Sequence, residues 1–183
     1  MGQAGQVGGA LNETRRALAA DSSLPHALLQ IAELQVELGQ PDSAIASLEL
    51  AVTRGEPSAI VAQFALAKGD GLFKSANGTK RRADFEQARR FLALSKRLAP
   101  TPEAAFLLGA SALSVGQAAA NEAPGSKSCD LSKLADASLA EAEENLTAGG
   151  SVAPDAARQF LEFLNQLRPF VADQVKAYCT RAP

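Results

Sequence analysis

Between Pro25 and Ser58 the chain reads PHALLQIAELQVELGQPDSAIASLELAVTRGEPS, with small residues at Ala32, Gly39, Ala44 and Ala51. Long or branched apolar residues fill the gaps: Leu28, Ile31 and Leu48 fall on helical spacing and predict faces that pack against neighbours. Gly39 followed by Pro41 marks a helix stop and a helix start, because a left-handed residue costs glycine little and proline needs no hydrogen bond in a first turn. The stretch therefore predicts two antiparallel helices, over 25–38 and 41–54. They cross where Ala32 faces Ala44 and no side chain holds the backbones apart.

The pattern recurs along the chain. At a shift of 34, Gly39 falls on Gly5, Ala44 on Ala10 and Ala51 on Ala17. At a shift of 44, Ala44, Leu48 and Ala51 reappear as Ala88, Leu92 and Ser95. At 77, Ile31, Ala32 and Gly39 become Leu108, Gly109 and Gly116. At 47, Ala88, Leu92 and Ser95 become Ala135, Leu139 and Ala142. The base period is 34, lengthened by two insertions.

Two helices in a period of 34 are the mark of a tetratricopeptide repeat. The chain resembles that family at Leu28, Ile31, Ala32, Gly39, Ala44, Leu48 and Ala51. The resemblance implies an all-α solenoid of helical hairpins in a right-handed superhelix, with about three and a half repeats closed by a C-terminal capping helix. A generic helical bundle is the alternative.

The expected layout is a single domain over 1–183. Residues 8–20 form an orphan second helix after a turn at Gly5-Gln6. Repeats follow at 25–54, at 58–98 (helices 58–74 and 83–98) and at 102–147 (helices 102–118 and 130–147). A capping helix covers 154–180. Thr101-Pro102 is a helix start and Gly149-Gly150 a stop. The cap carries Phe160, Phe163, Leu164, Leu167, Val171, Val175 and Tyr178 on one stripe that continues past Pro169, which predicts a kink. An orphan helix exposes the surface its partner should cover. Upstream repeats or a second copy of the chain, making a homodimer, would complete it.

The first insertion, about 68–82, is basic: Lys68, Lys74, Lys80, Arg81 and Arg82. It reads as a solvated turn, with a contact loop or an extended first helix as alternatives; Asn77-Gly78 and Gly69–Gly71 are turn signals. The second, about 118–131, surrounds Pro124-Gly125 and brings in Cys129. The other cysteine, Cys179, ends the capping helix. Both lie in additions to the plain repeat, so they read as a disulfide Cys129–Cys179 stapling the cap to the last repeat, worth about 4 kcal/mol in the chain-entropy model. Two separate thiols are the alternative. A bridge implies an oxidising compartment, periplasmic or extracellular, and otherwise the chain is cytoplasmic. The long insertions and the ending resemble exported bacterial members of the family.

Charge and motifs narrow the function. The formal net charge is -2, which offers no field for nucleic acid. No run of about twenty purely apolar residues predicts a membrane span. His26 is the single histidine, and with two cysteines it makes no zinc site. No phosphate-binding loop or dinucleotide fingerprint is present. We therefore assign no catalytic residue, no metal and no cofactor, and expect a non-enzymatic protein. Glu141, Glu143 and Glu144 read as a solvated face. Asn77-Gly78-Thr79 and Asn145-Leu146-Thr147 match the glycosylation pattern, a common one.

What remains is binding to a protein or peptide. The resemblance implies a groove lined by first helices: Leu29, Gln30, Glu33, Val36 and Glu37 beside His26; Gln63 and Phe64 with Lys68; Phe106, Ala110 and Leu113 with Glu103, Leu107 and Ser114. Some members hold a terminal carboxylate with Lys, Arg and Asn there. Gln30, Glu33 and Glu37 stand at those positions here, so that clamp is not expected. A groove with Leu29, Val36, Phe106 and Leu113 suits an extended or amphipathic peptide. The alternative function is a structural module that self-associates through its N-terminal stacking face.

Overall fold

The computed structural model describes residues 2–24 and 26–179. Among them the chain is all-α, without a strand: α1 (Gly2–Ala20), α2 (Ala27–Glu37), α3 (Pro41–Thr53), α4 (Ser58–Thr79), α5 (Arg82–Leu98), α6 (Pro102–Ser126), α7 (Cys129–Gly149) and α8 (Pro154–Cys179). It forms two compact units, divided inside α4 between Ala65 and Leu66.

In the first unit α1 packs on α2 and α2 on α3. Ala32, Ala44, Leu48 and Ala51 are fully buried, as the small-residue spacing predicts. α2 stops as expected. Gly39 takes φ +69°, its amide donates to Val36 O, and the Gln40 amide reaches back to Gln35 O. Pro41 opens α3. The first helix differs from expectation: no turn breaks it at Gly5-Gln6. Leu11 and Thr14 are buried, and the Thr14 hydroxyl donates to Ala10 O at 2.9 Å, so packing outweighs the weak helix propensity of Gly5, Gly8 and Gly9.

The second unit is built on α6, which packs on α5, α7 and α8. α6 is long and apolar enough to cross a membrane by length and composition alone, contrary to expectation. About two thirds of that stretch is buried inside the protein, which makes it a core helix. Its start is the expected one: Thr101 Oγ1 accepts from the Ala104 amide at 3.1 Å, ahead of Pro102.

Both insertions fold as helix. α4 continues through Gly69–Gly71 and Asn77-Gly78 to Thr79. Tertiary contact overrides the turn signals: Gly69 lies against Leu92, and Phe73 packs on Phe85 with ring centroids 5.9 Å apart. α6 likewise runs through Pro124 to Ser126. Proline 124 has no amide to offer Ala120 O, and the buried Gln174 of α8 donates its Nε2 there at 2.8 Å. α8 itself continues through Pro169, which sits on an exposed face.

α6 and α7 touch backbone to backbone. A Cβ added at Gly109 would stand 2.8 Å from the Leu146 nitrogen. One added at Gly149 would stand 2.3 Å from the Phe106 nitrogen and 2.6 Å from Pro102 O. Gly149 thus serves the crossing, and the helix stop falls to Gly150, in an ordinary right-handed conformation. A polar layer ties α5 to α7. Arg89 pairs with Glu141, and Lys96 reaches Glu144 at 3.3 Å and Asn145 at 2.7 Å. Glu143 pairs with Arg168 of α8 at 2.7 Å. The side chains of Glu144 and Glu143 are solvent-exposed, as a solvated face requires, while Glu141 is half-buried; each also meets a cation from a neighbouring helix. Asn145 is buried among these partners, which removes it as a glycosylation acceptor.

The sulfurs of Cys129 and Cys179 lie at bonding distance, with their Cα atoms 4.8 Å apart. The pair joins the first turn of α7 to the last of α8, as the cysteine placement predicts.

Glycine substitutions, a double-mutant cycle and thiol chemistry test this packing. Gly149→Ala forces α7 off α6 and lowers stability by more than about 2 kcal/mol in denaturant unfolding. Gly71→Ala, in open space on α4, raises it by up to about 1 kcal/mol. Gln174→Leu costs about 1–2 kcal/mol by orphaning Ala120 O. In a Pro124→Ala background residue 124 supplies the missing amide and the cost falls towards zero, a coupling that a double-mutant cycle reads directly. Alkylation of the unfolded protein blocks both thiols only after reduction, and reduction lowers stability by about 4 kcal/mol.

Candidate functional site

The face of α6 that carries Ala110, Leu113 and Ser114 continues one and two turns on to Gln117, Ala118 and Asn121. It forms the floor of a cavity of about 490 Å³ that lies wholly within the second unit. Phe73 and Asn77 of α4 and Phe85 of α5 wall one side, and Phe160 and Phe163 of α8 the other. Lys80, in the link between α4 and α5, completes the lining. The volume falls in the range of ligand pockets that are largely apolar with a few placed polar groups.

Local structure fixes each wall. Phe85 is buried at the start of α5, where its carbonyl accepts from Ser111 Oγ of α6 at 3.0 Å. Phe160 is held by Phe106, centroid to centroid 6.0 Å. Lys80 takes the left-handed φ of +57° that ends α4, and its amide donates to Ala76 O at 2.8 Å. Its neighbours are clamped by Asp84. That carboxylate accepts from Thr79 Oγ1 at 2.5 Å and from Arg81 Nε and Nη2 at 2.9 and 3.0 Å. The Thr79 hydroxyl, and then Arg81, hold the Asp84 carboxyl below the usual carboxylate range.

The cavity is graded from end to end. Arg82 Nε meets Glu122 at 2.9 Å, which places the Lys80 link beside the Asn121 end of α6. The Phe106–Phe160 pair lies towards the Ala110 end. Phenylalanine rings therefore crowd one end, and amides and one ammonium the other. Lys80 Nζ approaches Asn77 Oδ1 at 3.4 Å and has no carboxylate partner among the described residues.

Of the positions expected to line a groove, Ala110, Leu113 and Ser114 line this cavity and Phe106 supports its edge, His26 lines a smaller one, and Lys68, Glu103 and Leu107 line neither. The remaining seven belong to the first unit. Leu29 is buried there, Glu33, Val36 and Phe64 are half-buried, and Gln30, Glu37 and Gln63 are exposed. None of the seven lines this cavity or the smaller one of about 230 Å³ near His26. That smaller hollow is made by a clamp the sequence did not reveal. Glu56 accepts from the His26 amide at 2.7 Å and faces its Nδ1 at 3.2 Å.

Asn77 and Lys80 fall in the stretch between the expected helices 58–74 and 83–98, and Asn121 lies beyond the expected end of a helix at 118. Phe73, Phe85 and Gln117 fall within expected helices, and nothing local marks them as lining a cavity. Helical spacing from Ser114, three and seven residues on, was the signal that could have extended the face to Gln117 and Asn121. Among the described residues no three His, Cys, Asp or Glu side chains converge as metal ligands would.

No protein-family model, no curated protein and no solved structure matches the chain.

Proposed function

We propose that this protein is a non-enzymatic scaffold of tetratricopeptide type that holds an extended segment of a partner protein in the cavity on α6. The observation that carries the reading is the cavity itself: a continuous face of one helix, from Ala110 to Asn121, left open between aromatic walls. Eleven residues of helix span roughly 16 Å, which matches about five residues of extended chain. Supporting the repeat reading, the second unit packs α5 on α6, α6 on α7 and α7 on α8, each helix on the next in sequence, as stacked helix pairs do. The Cys129–Cys179 pair supports an exported protein, since such bonds persist in oxidising compartments.

A library of ten-residue peptides panned against the protein tests this. Enriched peptides bind the parent protein and bind Ala118→Arg, whose guanidinium fills the cavity, at least about tenfold more weakly, while its thermal unfolding stays that of the parent. Equal binding to both proteins, or no enrichment, overturns the proposal.

A further inference from the structure

The charge of the cavity says more about its occupant than its size does. Of the residues lining it, Lys80 alone is charged. No acidic side chain shares the lining, and two carboxylates of adjoining residues are engaged: Asp84 by Thr79 and Arg81, Glu122 by Arg82. Lys80 is therefore an exposed cation on a fixed stretch of backbone, with no carboxylate paired to it among the described residues. Its left-handed backbone is fixed by the last turn of α4, and the residues on either side of it are tied to Asp84. An ammonium presented beside an apolar hollow favours a carboxylate on whatever fills that hollow, and disfavours a second cation there.

Resting on the peptide reading above, we propose that the cavity selects an internal partner segment in which a large apolar side chain and an Asp or Glu stand three or four residues apart. The apolar side chain lies between Phe160, Phe163 and Leu113. The carboxylate reaches Lys80 at the other end. The exposed amides of Gln117 and Asn121 lie between, one helical turn apart, within reach of the segment's backbone. The roughly 16 Å of α6 between the two ends sets the separation: three to four extended residues cover about 10–13 Å, and the side chains supply the rest. A terminal carboxylate is not required, because a single lysine without a second cation meets one acidic side chain.

The test uses fluorescein-labelled, C-terminally amidated ten-residue peptides of Gly and Ser. Each carries one Phe and one Asp four residues apart, in either order, and matched peptides replace Asp by Asn or Lys, or Phe by Ala. Anisotropy titrations at low salt are expected to show the better Phe–Asp order binding roughly fivefold tighter than Phe–Asn, with Phe–Lys weakest. High salt removes the preference. Lys80→Asn, which tolerates the left-handed backbone, also removes it, and Lys80→Glu turns it towards Phe–Lys. Equal binding of the Asp, Asn and Lys peptides overturns the inference. So does an Asp preference that survives Lys80→Asn, or the failure of every designed peptide to bind. If library-selected peptides bind the cavity without an acidic residue, only this inference falls. If no peptide of either kind binds, the scaffold reading falls with it.

Discussion

The second unit depends on the approach of α6 to α7 without side chains between them. Gly109 lets Leu146 and its backbone lie against α6, and Gly149 lets the end of α7 rest on the first turn of α6. Alanines fill much of the rest of that crossing: Ala112, Ala119, Ala135 and Ala142 are fully buried. Close packing of small residues gains dispersion energy over many atoms but tolerates almost no added volume. With those two helices locked, the placement of α5 and α8 follows. α5 is held by Ser111 and the Arg89–Glu141 and Lys96–Asn145 contacts, α8 by Leu164, Val171 and Arg168.

Polar groups inside this unit repair what the helices leave unsatisfied. The proline in α6 orphans a carbonyl, and a glutamine from α8 answers it. The same α8 carries the cysteine that meets Cys129. Two kinds of tie, one hydrogen-bonded and one covalent, thus fasten the far end of α8 to the ends of α6 and α7. Its near end is left to present Phe160 and Phe163. A buried donor matched to a proline's missing amide gives positional specificity that apolar contact lacks, since only one register of α8 satisfies it.

The cavity is what the packing leaves over. α6 is longer than its helical partner α5, and its exposed face runs past the place where α5 begins. The extension of α4 walls that face instead of covering it. Its glycines would weaken a free helix, yet Gly69 is required where α4 meets Leu92, and Phe73 finds Phe85. The pocket takes its floor from α6 and its walls from α4, α5 and α8, elements well separated along the chain.

By itself the sequence determined the helical class, most helix boundaries, the small residues at crossings and the cysteine pair. Each follows from local chemistry: period, capping, propensity and the scarcity of cysteine. Ala110 and Leu113, which line the cavity, were named through the family resemblance rather than local chemistry; they stand 77 residues after Glu33 and Val36. The tertiary structure decided the rest. Gly71, Asn77-Gly78 and Pro124 all carry signals that end helices in isolation, and each is helical here because distant partners stabilise the continuation by more than the local cost. The site's cation came with that decision. Lys80 faces the cavity only because α4 persists to Thr79, and no local window of sequence contains Phe85, Ser111 and Asp84 together with the geometry that relates them.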